Sequence, residues 1–376
     1  ACFNIRHYKL VVTFFLLLTL VSIQGMSKIR VDSNFLEDFS SRVQVKRDTQ
    51  MIDQSLSGTG SLVYLFDTGK PDGLKNPDVL REIERVQNRI DQEAPLVKKT
   101  ISVVDFIKDI NQSFHADDPA FYVIPDTQEM VAQLLLVYEI SGGKEVAKYM
   151  STDYSRARLE INARQTETSE YARLDADVHT YLETQPLQHS TVSLNGVGSL
   201  WLRLMDYITS SQIISLSLAF AIITVMMCMT FKSVKIGLLS MLPNIAPVFF
   251  TLGLMGWMGI TLDFGRLILG GVGIGIAVDD TIHFLSRFRT EFAFHRNYEK
   301  TLQVTLRGVG RPMLITSIVL VCGFLMFSFS LMSSQQIFGG LLALIVTIAL
   351  IADYLMMPSL ILLTKMFGPE KIQTTS

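Results

Sequence analysis

The sequence predicts an all-α membrane bundle of six transmembrane helices carrying a separate α+β domain, and three observations carry that prediction. Six runs are each long and apolar enough to span hydrocarbon: Tyr8–Met26, Ile213–Phe231, Ile236–Met258, Leu267–Leu285, Pro312–Met332 and Ile337–Leu363. About 20 apolar residues in an α-helix cover the ~30 Å core of a bilayer. Charge is segregated, with most of it in residues 27–209 and little within the runs. The connections between runs also differ in sign of charge from one side to the other. Segments 1–9, 232–235, 286–311 and 364–376 hold twelve Lys or Arg against three acids, Glu291, Glu299 and Glu370. The opposite loops hold Asp263 and Arg266. This is a positive-inside pattern that puts residues 27–209 outside the cytoplasm.

Taken in order, residues 1–26 form an N-terminal span, with Arg6 in front and Lys9 placed to snorkel at its edge. A cleaved signal peptide is the alternative, and the lack of an A-x-A-like site argues for retention. Residues 27–209 follow as an extracytoplasmic α+β domain. Ser61–Phe66, Arg156–Ala163 and Thr191–Val197 read as strands. Asp78–Glu93, Val103–Phe114, Asp126–Ile140 and Thr166–Thr184 read as helices, the first started by Asn76-Pro77 and the last by Thr166 or Thr168. That alternation fits helices on one face of a small sheet, in a ferredoxin-like βαβ arrangement. The domain carries 20 basic and 28 acidic residues, which excludes a nucleic-acid-binding surface of the usual basic kind. Residues 210–365 form the remaining five spans, and 366–376 a cytoplasmic tail. Between the fourth and fifth spans, Phe284, Phe288 and Phe292 recur at i+4, as in an amphipathic helix lying at the inner headgroups or packed on the bundle.

Polar groups inside hydrocarbon point to function. The fourth span contains Asp279 and Asp280, with Asp279 13 residues after Arg266 and 8 before Arg287. At 1.5 Å per residue this puts it ~12 Å from the cytoplasmic anchor, too deep to reach water easily. An Asp at a helix centre costs about 2.5–3.5 kcal/mol, so such residues usually mark a pathway. Adjacent carboxyls in a dry site titrate at separated values, which suits proton carriage. His283, at i+4 from Asp279, puts an imidazole beside the acid, and Gly271 and Gly275 leave room for another helix to pack closely. The bland reading is a polar pair that only locks packing. Asp353, followed by Tyr354, stands twelve residues before Lys365 in the sixth span and adds a second acid at depth, ~18 Å from that edge. Thr316 offers a hydroxyl that bonds either across the bundle or to its own helix. Pro243 and Pro247 in the third span free backbone carbonyls and favour a kink.

No nucleophile–base pairing, phosphate loop or metal-ligand spacing is present, so neither an enzyme nor a bound cofactor or metal is expected. Cys2, Cys228 and Cys322 all lie at or within membrane segments, leaving the outer domain to fold without disulfides.

Several motifs resemble the resistance-nodulation-division (RND) superfamily, in its predicted-exporter branch with an MMPL-type, sterol-sensing-domain-like membrane part. They are GIGIAVDDTIHF (Gly273–Phe284), SMLPNIAPV (Ser240–Val248), GRPMLITSIVLVCGF (Gly310–Phe324) and ADYLMMPSL (Ala352–Leu360). In the outer domain GTGSLVYLFDTG (Gly58–Gly69) and TISVVDFIKDIN (Thr100–Asn111) also resemble this branch. The resemblance implies a porter domain outside a cytoplasmic (inner) membrane. It also implies export of hydrophobic or amphiphilic molecules such as lipids and drugs, driven by inward proton flow, with the relay at Asp279 and Asp280. Members usually hold two such repeats. One repeat here implies a C-terminal half that works with a second half, or a homo-oligomer, in contact with membrane lipids and cargo. An accessory protein-export subunit and a lipid or sterol sensor without transport are the competing readings.

Overall fold

The computed structural model describes residues 2–34, 36–93 and 96–370. In chain order the elements begin with α1 (Cys2–Met26), α2 (Gln44–Ser55), β1 (Gly60–Asp67), α3 (Pro77–Asp91), β2 (Val97–Ile101), α4 (Val103–Phe114), α5 (Gln128–Ile140), β3 (Arg156–Ala163), α6 (Thr168–Thr184) and β4 (Thr191–Asn195). Then follow α7 (Gly196–Phe231), α8 (Val234–Met258), α9 (Leu269–His295), α10 (Tyr298–Leu325), α11 (Ser333–Ile351) and α12 (Met357–Thr364). A π-helical turn, Ala352–Met356, joins the last two into one span. The chain divides into two units, one of Asn34–Leu36 with Ser41–Asp206, the other holding Glu37–Ser40 and everything outside those ranges.

In the first unit the sheet order is β2-β3-β1-β4 and every neighbouring pair is antiparallel. β1 and β2 therefore run in the same direction with β3 between them. Period-two alternation sends Leu62, Tyr64 and Phe66 of β1, and Ala157, Leu159, Ile161 and Ala163 of β3, into the core. Val79, Leu80, Ile83, Val86 and Ile90 of α3, at helical spacing, join the same core with residues of α4, α5 and α6. Asn76 caps α3 by accepting the Asp78 N–H at 3.0 Å, with Pro77 at the first helical position. Ser102 and Asp105 close a capping box on α4. Buried Tyr64 donates to Asp175 at 2.8 Å, and burial together with that carboxylate holds the phenol far above its usual range. Glu82 on α3 accepts from the Gln188 N–H at 2.6 Å, the His189 N–H at 3.0 Å and the Ser190 hydroxyl at 2.8 Å. Burial alone would raise its carboxyl; the hydrogen bonds from Gln188, Ser190 and His189 outweigh it and leave Glu82 below the ordinary range.

Three details differ from the sequence reading. Strand β2 and helix α2 have no counterpart in it. β4 stops at Asn195 because Gly196 turns into the left-handed region at φ 76° and α7 begins there. Glu167, not a threonine, occupies the N-cap of α6, while the Thr166 hydroxyl bonds Glu170 at 3.0 Å.

Six helices are long and apolar enough to cross a membrane: α1, α8, α9, α10 and the joined α11–α12 in the second unit, and α7, which passes from the first unit into the second at Asp206–Tyr207. Contact between α1 and α8 is very close. A Cβ built on Gly256 would lie 1.9 Å from the Gly25 carbonyl oxygen, and the Trp257 indole N–H donates to the Val21 carbonyl at 3.2 Å. Asp263 and Arg266 pair at 3.2 Å in the α8–α9 connection, and Ser334 donates to Asp263 at 2.7 Å. The stretch carrying Phe284, Phe288 and Phe292 is not a separate surface helix. It continues α9, and all three rings are buried in an aromatic cluster with Tyr298 and Phe367. α10 correspondingly starts at Tyr298, fourteen residues before the expected fifth span. The tail's Lys371 lies outside the described residues.

Candidate functional site

The geometry of α9 separates two acids that are adjacent in sequence. Residues buried along it are Gly270, Gly273, Ile274, Ala277, Val278, Thr281, Phe284 and Leu285, the i, i+3, i+4 pattern of a helix with one face in a core. Gly273 lets Ile345 of α11 approach, and a Cβ there would sit 2.8 Å from that side chain. On the opposite face Gly271, Gly275, Asp279 and His283 follow one another at i+4 and are exposed. A Cβ on Gly271 or Gly275 would meet nothing within 4 Å, so these two glycines pack against no helix among the described residues. The Asp279 side chain is 75% exposed and that of His283 70%, and they lie 3.6 Å apart.

Asp280, one residue on and about 100° around the helix, is half-buried and faces Ser317 of α10. It lies within electrostatic reach of Asp353 and Tyr354. Asp353 is 2% exposed and stands in the π turn, whose extra residue per turn reorients side chains and is often found at functional sites. Its carboxyl oxygen is 2.7 Å from the Thr281 hydroxyl, which is itself 2.8 Å from the Asn244 side-chain oxygen. The Asn244 amide nitrogen donates to the Ser240 carbonyl at 2.9 Å. Asn244, Thr281 and Asp353 are each at most 2% exposed and come from α8, α9 and the sixth span. The Tyr354 hydroxyl donates to the Gly310 carbonyl of α10, and Asn4 of α1 donates to the Tyr354 carbonyl at 2.6 Å. Five helices thus meet at the Asp353–Tyr354 turn.

The structure therefore brings Asp280, Asp353 and Tyr354 together and leaves Asp279 and His283 as a pair on an outer face. Thr316 takes no part. Its hydroxyl bonds back to the Met313 carbonyl at 2.9 Å and the Pro312 carbonyl at 3.2 Å on its own helix. Pro243 and Pro247 sit within α8, which runs as one helix through both. Sequence reasoning missed Thr281 and Asn244. The available signal was a polar side chain in the middle of an apolar run, the same cost argument that singled out the acids. Among the described residues no group of three His, Cys, Asp or Glu is placed to hold a metal.

The other unit holds an apolar cavity of about 300 Å³, lined by Leu62, Tyr171, Val197, Trp201 and Leu202 among others. A groove of about 340 Å³ runs between α1, α8 and α11, past Phe15, Leu18, Phe250, Leu254, Trp257 and Ile348.

The fold and site can be set beside known proteins. A membrane protein of Methanocaldococcus jannaschii is 21% identical over 295 residues, covering 77% of this chain and 72% of the relative. The solved structure of the hedgehog release protein Disp from the water bear Hypsibius dujardini superposes with a TM-score of 0.62 at 11% identity. That match covers 96% of this chain and 48% of Disp, so the chain spans about half the length of this structural relative. The MMPL family profile matches residues 38–375, and with nearly the whole length accounted for, this multi-pass membrane chain belongs to the MMPL family.

Proposed function

We propose that the chain is one six-span unit of an RND-type secondary transporter that uses the proton-motive force to export hydrophobic or amphiphilic molecules. Lipids are the first candidates and drug-like amphiphiles the next. The bundle lies in the cytoplasmic membrane with residues 27–209 outside, as the charge asymmetry of the connections favours. The strand order β2-β3-β1-β4 supports the ferredoxin-like reading of that outer domain.

One observation carries the proposal. Two carboxyl groups from different spans, buried Asp353 and half-buried Asp280, lie within electrostatic reach of each other among apolar helices. Carboxyls kept in hydrocarbon at a cost of several kcal/mol are the residues expected of a proton path. Asp279 and His283 extend the path to the outer face, where hydrocarbon would solvate them poorly. A second six-span unit covering that face, another copy or a second half, resolves this. The apolar cavity beside Trp201 fits an acyl chain or a flat amphiphile, in keeping with hydrophobic cargo.

The test is flux of a lipid or amphiphilic dye in proteoliposomes under an imposed pH gradient. Asp279→Asn/Asp280→Asn should abolish gradient-driven flux while leaving expression and folding intact, and undiminished flux from it would refute the proton reading. The groove between α1, α8 and α11 favours a second reading, lipid sensing without transport. Lipid binding that persists in the double variant, with no flux in the wild type, would establish it.

A further inference from the structure

We infer that Asp353 is the residue that holds a proton in this conformation, and that its proton completes a hydrogen-bonded latch joining α8, α9 and the sixth span through Asn244 and Thr281. The inference deepens the proton-coupled reading above, and depends on it only for what the proton is used for.

Three side-chain oxygens stand in a row: Asn244 Oδ1, Thr281 Oγ1 and Asp353 Oδ1, separated by 2.8 Å and 2.7 Å. Both separations are those of O–H···O hydrogen bonds, so each needs a hydrogen between its two oxygens. A threonine hydroxyl supplies one. An amide oxygen supplies none, and neither does a carboxylate. The orientation of the Asn244 amide is fixed at its other end, where it lies 2.9 Å from the Ser240 carbonyl oxygen. A carbonyl carries no hydrogen, so the amide nitrogen must face it and the amide oxygen must face Thr281. Turning the amide over would set two acceptor oxygens against each other in a buried site, at a cost of the size of a stranded polar group. The second hydrogen therefore comes from Asp353. Its carboxyl O–H donates to Thr281, and the Thr281 hydroxyl donates to Asn244.

The surroundings agree. No Lys, Arg or His among the described residues bonds or pairs with Asp353, and the one titratable side chain in electrostatic reach on a packed helix is the acid Asp280 on α9. α8 presents Asn244 and α1 presents Asn4 at the neighbouring Tyr354 carbonyl, both neutral. An ionised Asp353 would be a buried charge with no countercharge and one hydroxyl to solvate it. Loss of the proton leaves one hydrogen for two oxygen–oxygen contacts, so the chain of three must break at one of them. That separates either α8 or the sixth span from α9. Proton occupancy is thereby converted into helix packing, a role distinct from that of the outward-facing Asp279.

The experiment is infrared spectroscopy of the full chain in lipid nanodiscs at neutral pH. It compares the wild type with Asp353→Asn and Thr281→Val and reads the C=O stretch of protonated carboxyl groups. Asp353→Asn keeps the hydrogen bond, since its amide N–H replaces the O–H, so the variant should fold. The wild type should show a protonated-carboxyl band that Asp353→Asn removes, and Thr281→Val should shift that band to higher frequency by taking away its acceptor. Loss of a carboxylate band instead, with the protonated region unchanged in Asp353→Asn, would overturn the inference. So would a band that Thr281→Val leaves unmoved. The band present without gradient-driven flux sinks only the transport reading, whereas flux without the band sinks only this inference.

Discussion

Gly275→Leu separates the two possible surroundings of the outer face of α9, because its effect has opposite sign in each. Nothing within 4 Å would meet a Cβ at Gly275, nor at Gly271 one turn earlier. In this chain alone the leucine enters open space. It replaces the poorest ordinary helix former by one of the best, a gain of about 0.5–0.8 kcal/mol. If the face meets lipid, the variant is more stable and otherwise unchanged. If a second six-span unit packs there, the small-xxx-small stripe is what allows close approach, and leucine overpacks it at about 1–3 kcal/mol.

Wedging the helices apart also costs the polar contacts of Asp279 and His283 across the interface, about 0.6–1.7 kcal/mol for a typical intramembrane hydrogen bond. The combined loss is about 1.6–4.7 kcal/mol. At 1.4 kcal/mol per decade, association falls roughly 10- to 2,000-fold. The assay is energy transfer between labelled copies of the chain diluted in bilayers, alongside thermal unfolding of the dispersed unit. Unchanged association together with a more stable unit would refute the covered face and return Asp279 to the lipid.

Glu82→Gln removes the charge that its four hydrogen-bond contacts to Gln188, His189 and Ser190 now use. It should weaken that attachment by about 2 kcal/mol, seen as faster hydrogen exchange at residues 188–190. Because the folded carboxyl titrates below its ordinary range, the stabilisation is complete above the usual glutamate pKa and is lost as pH falls through the lowered value. Wild type and variant should therefore converge in acid. Phe288→Ala empties the centre of the ring cluster formed with Phe284, Phe292, Tyr298 and Phe367 and should cost about 3–5 kcal/mol in a detergent unfolding assay, while Phe294→Ala, on the exposed side of the same helix, should cost little. Gly256→Leu cannot coexist with the Gly25 carbonyl and should detach α1 from α8, which protease cleavage near residues 27–33 would report.

Much of the fold was legible because its signals are periodic. Long apolar runs give spans, alternation gave three strands, and helical spacing gave α3 through α6. β2 escaped because Val97-Lys98-Lys99-Thr100-Ile101 carries two lysines, as suits an edge strand guarded against further pairing, and its register shifts between Val97 and Lys99. The extent of α9 and α10 escaped for another reason. Hydropathy marks where a helix lies in oil, and the aromatic cluster carries both helices beyond that limit.

The site was legible in depth but not in direction. Hydropathy locates a residue along the membrane normal, whereas function depends on which way round the helix it points. Successive residues on an α-helix are separated by about 100°, so Asp279 and Asp280 can never share a face. The neighbours decide which acid turns inward. Ala277, Val278, Thr281, Phe284 and Leu285 set the buried stripe, Asp280 falls at its margin and Asp279 opposite it. The two acids therefore face different surroundings. Asp280 turns towards Ser317 and Asp353, and Asp279 lies on the exposed glycine stripe. A variant that changes both residues tests transport, but only the single variants assign the route. Asp280→Asn should interrupt the interior path in each unit alone. Asp279→Asn should matter only where a second unit is present.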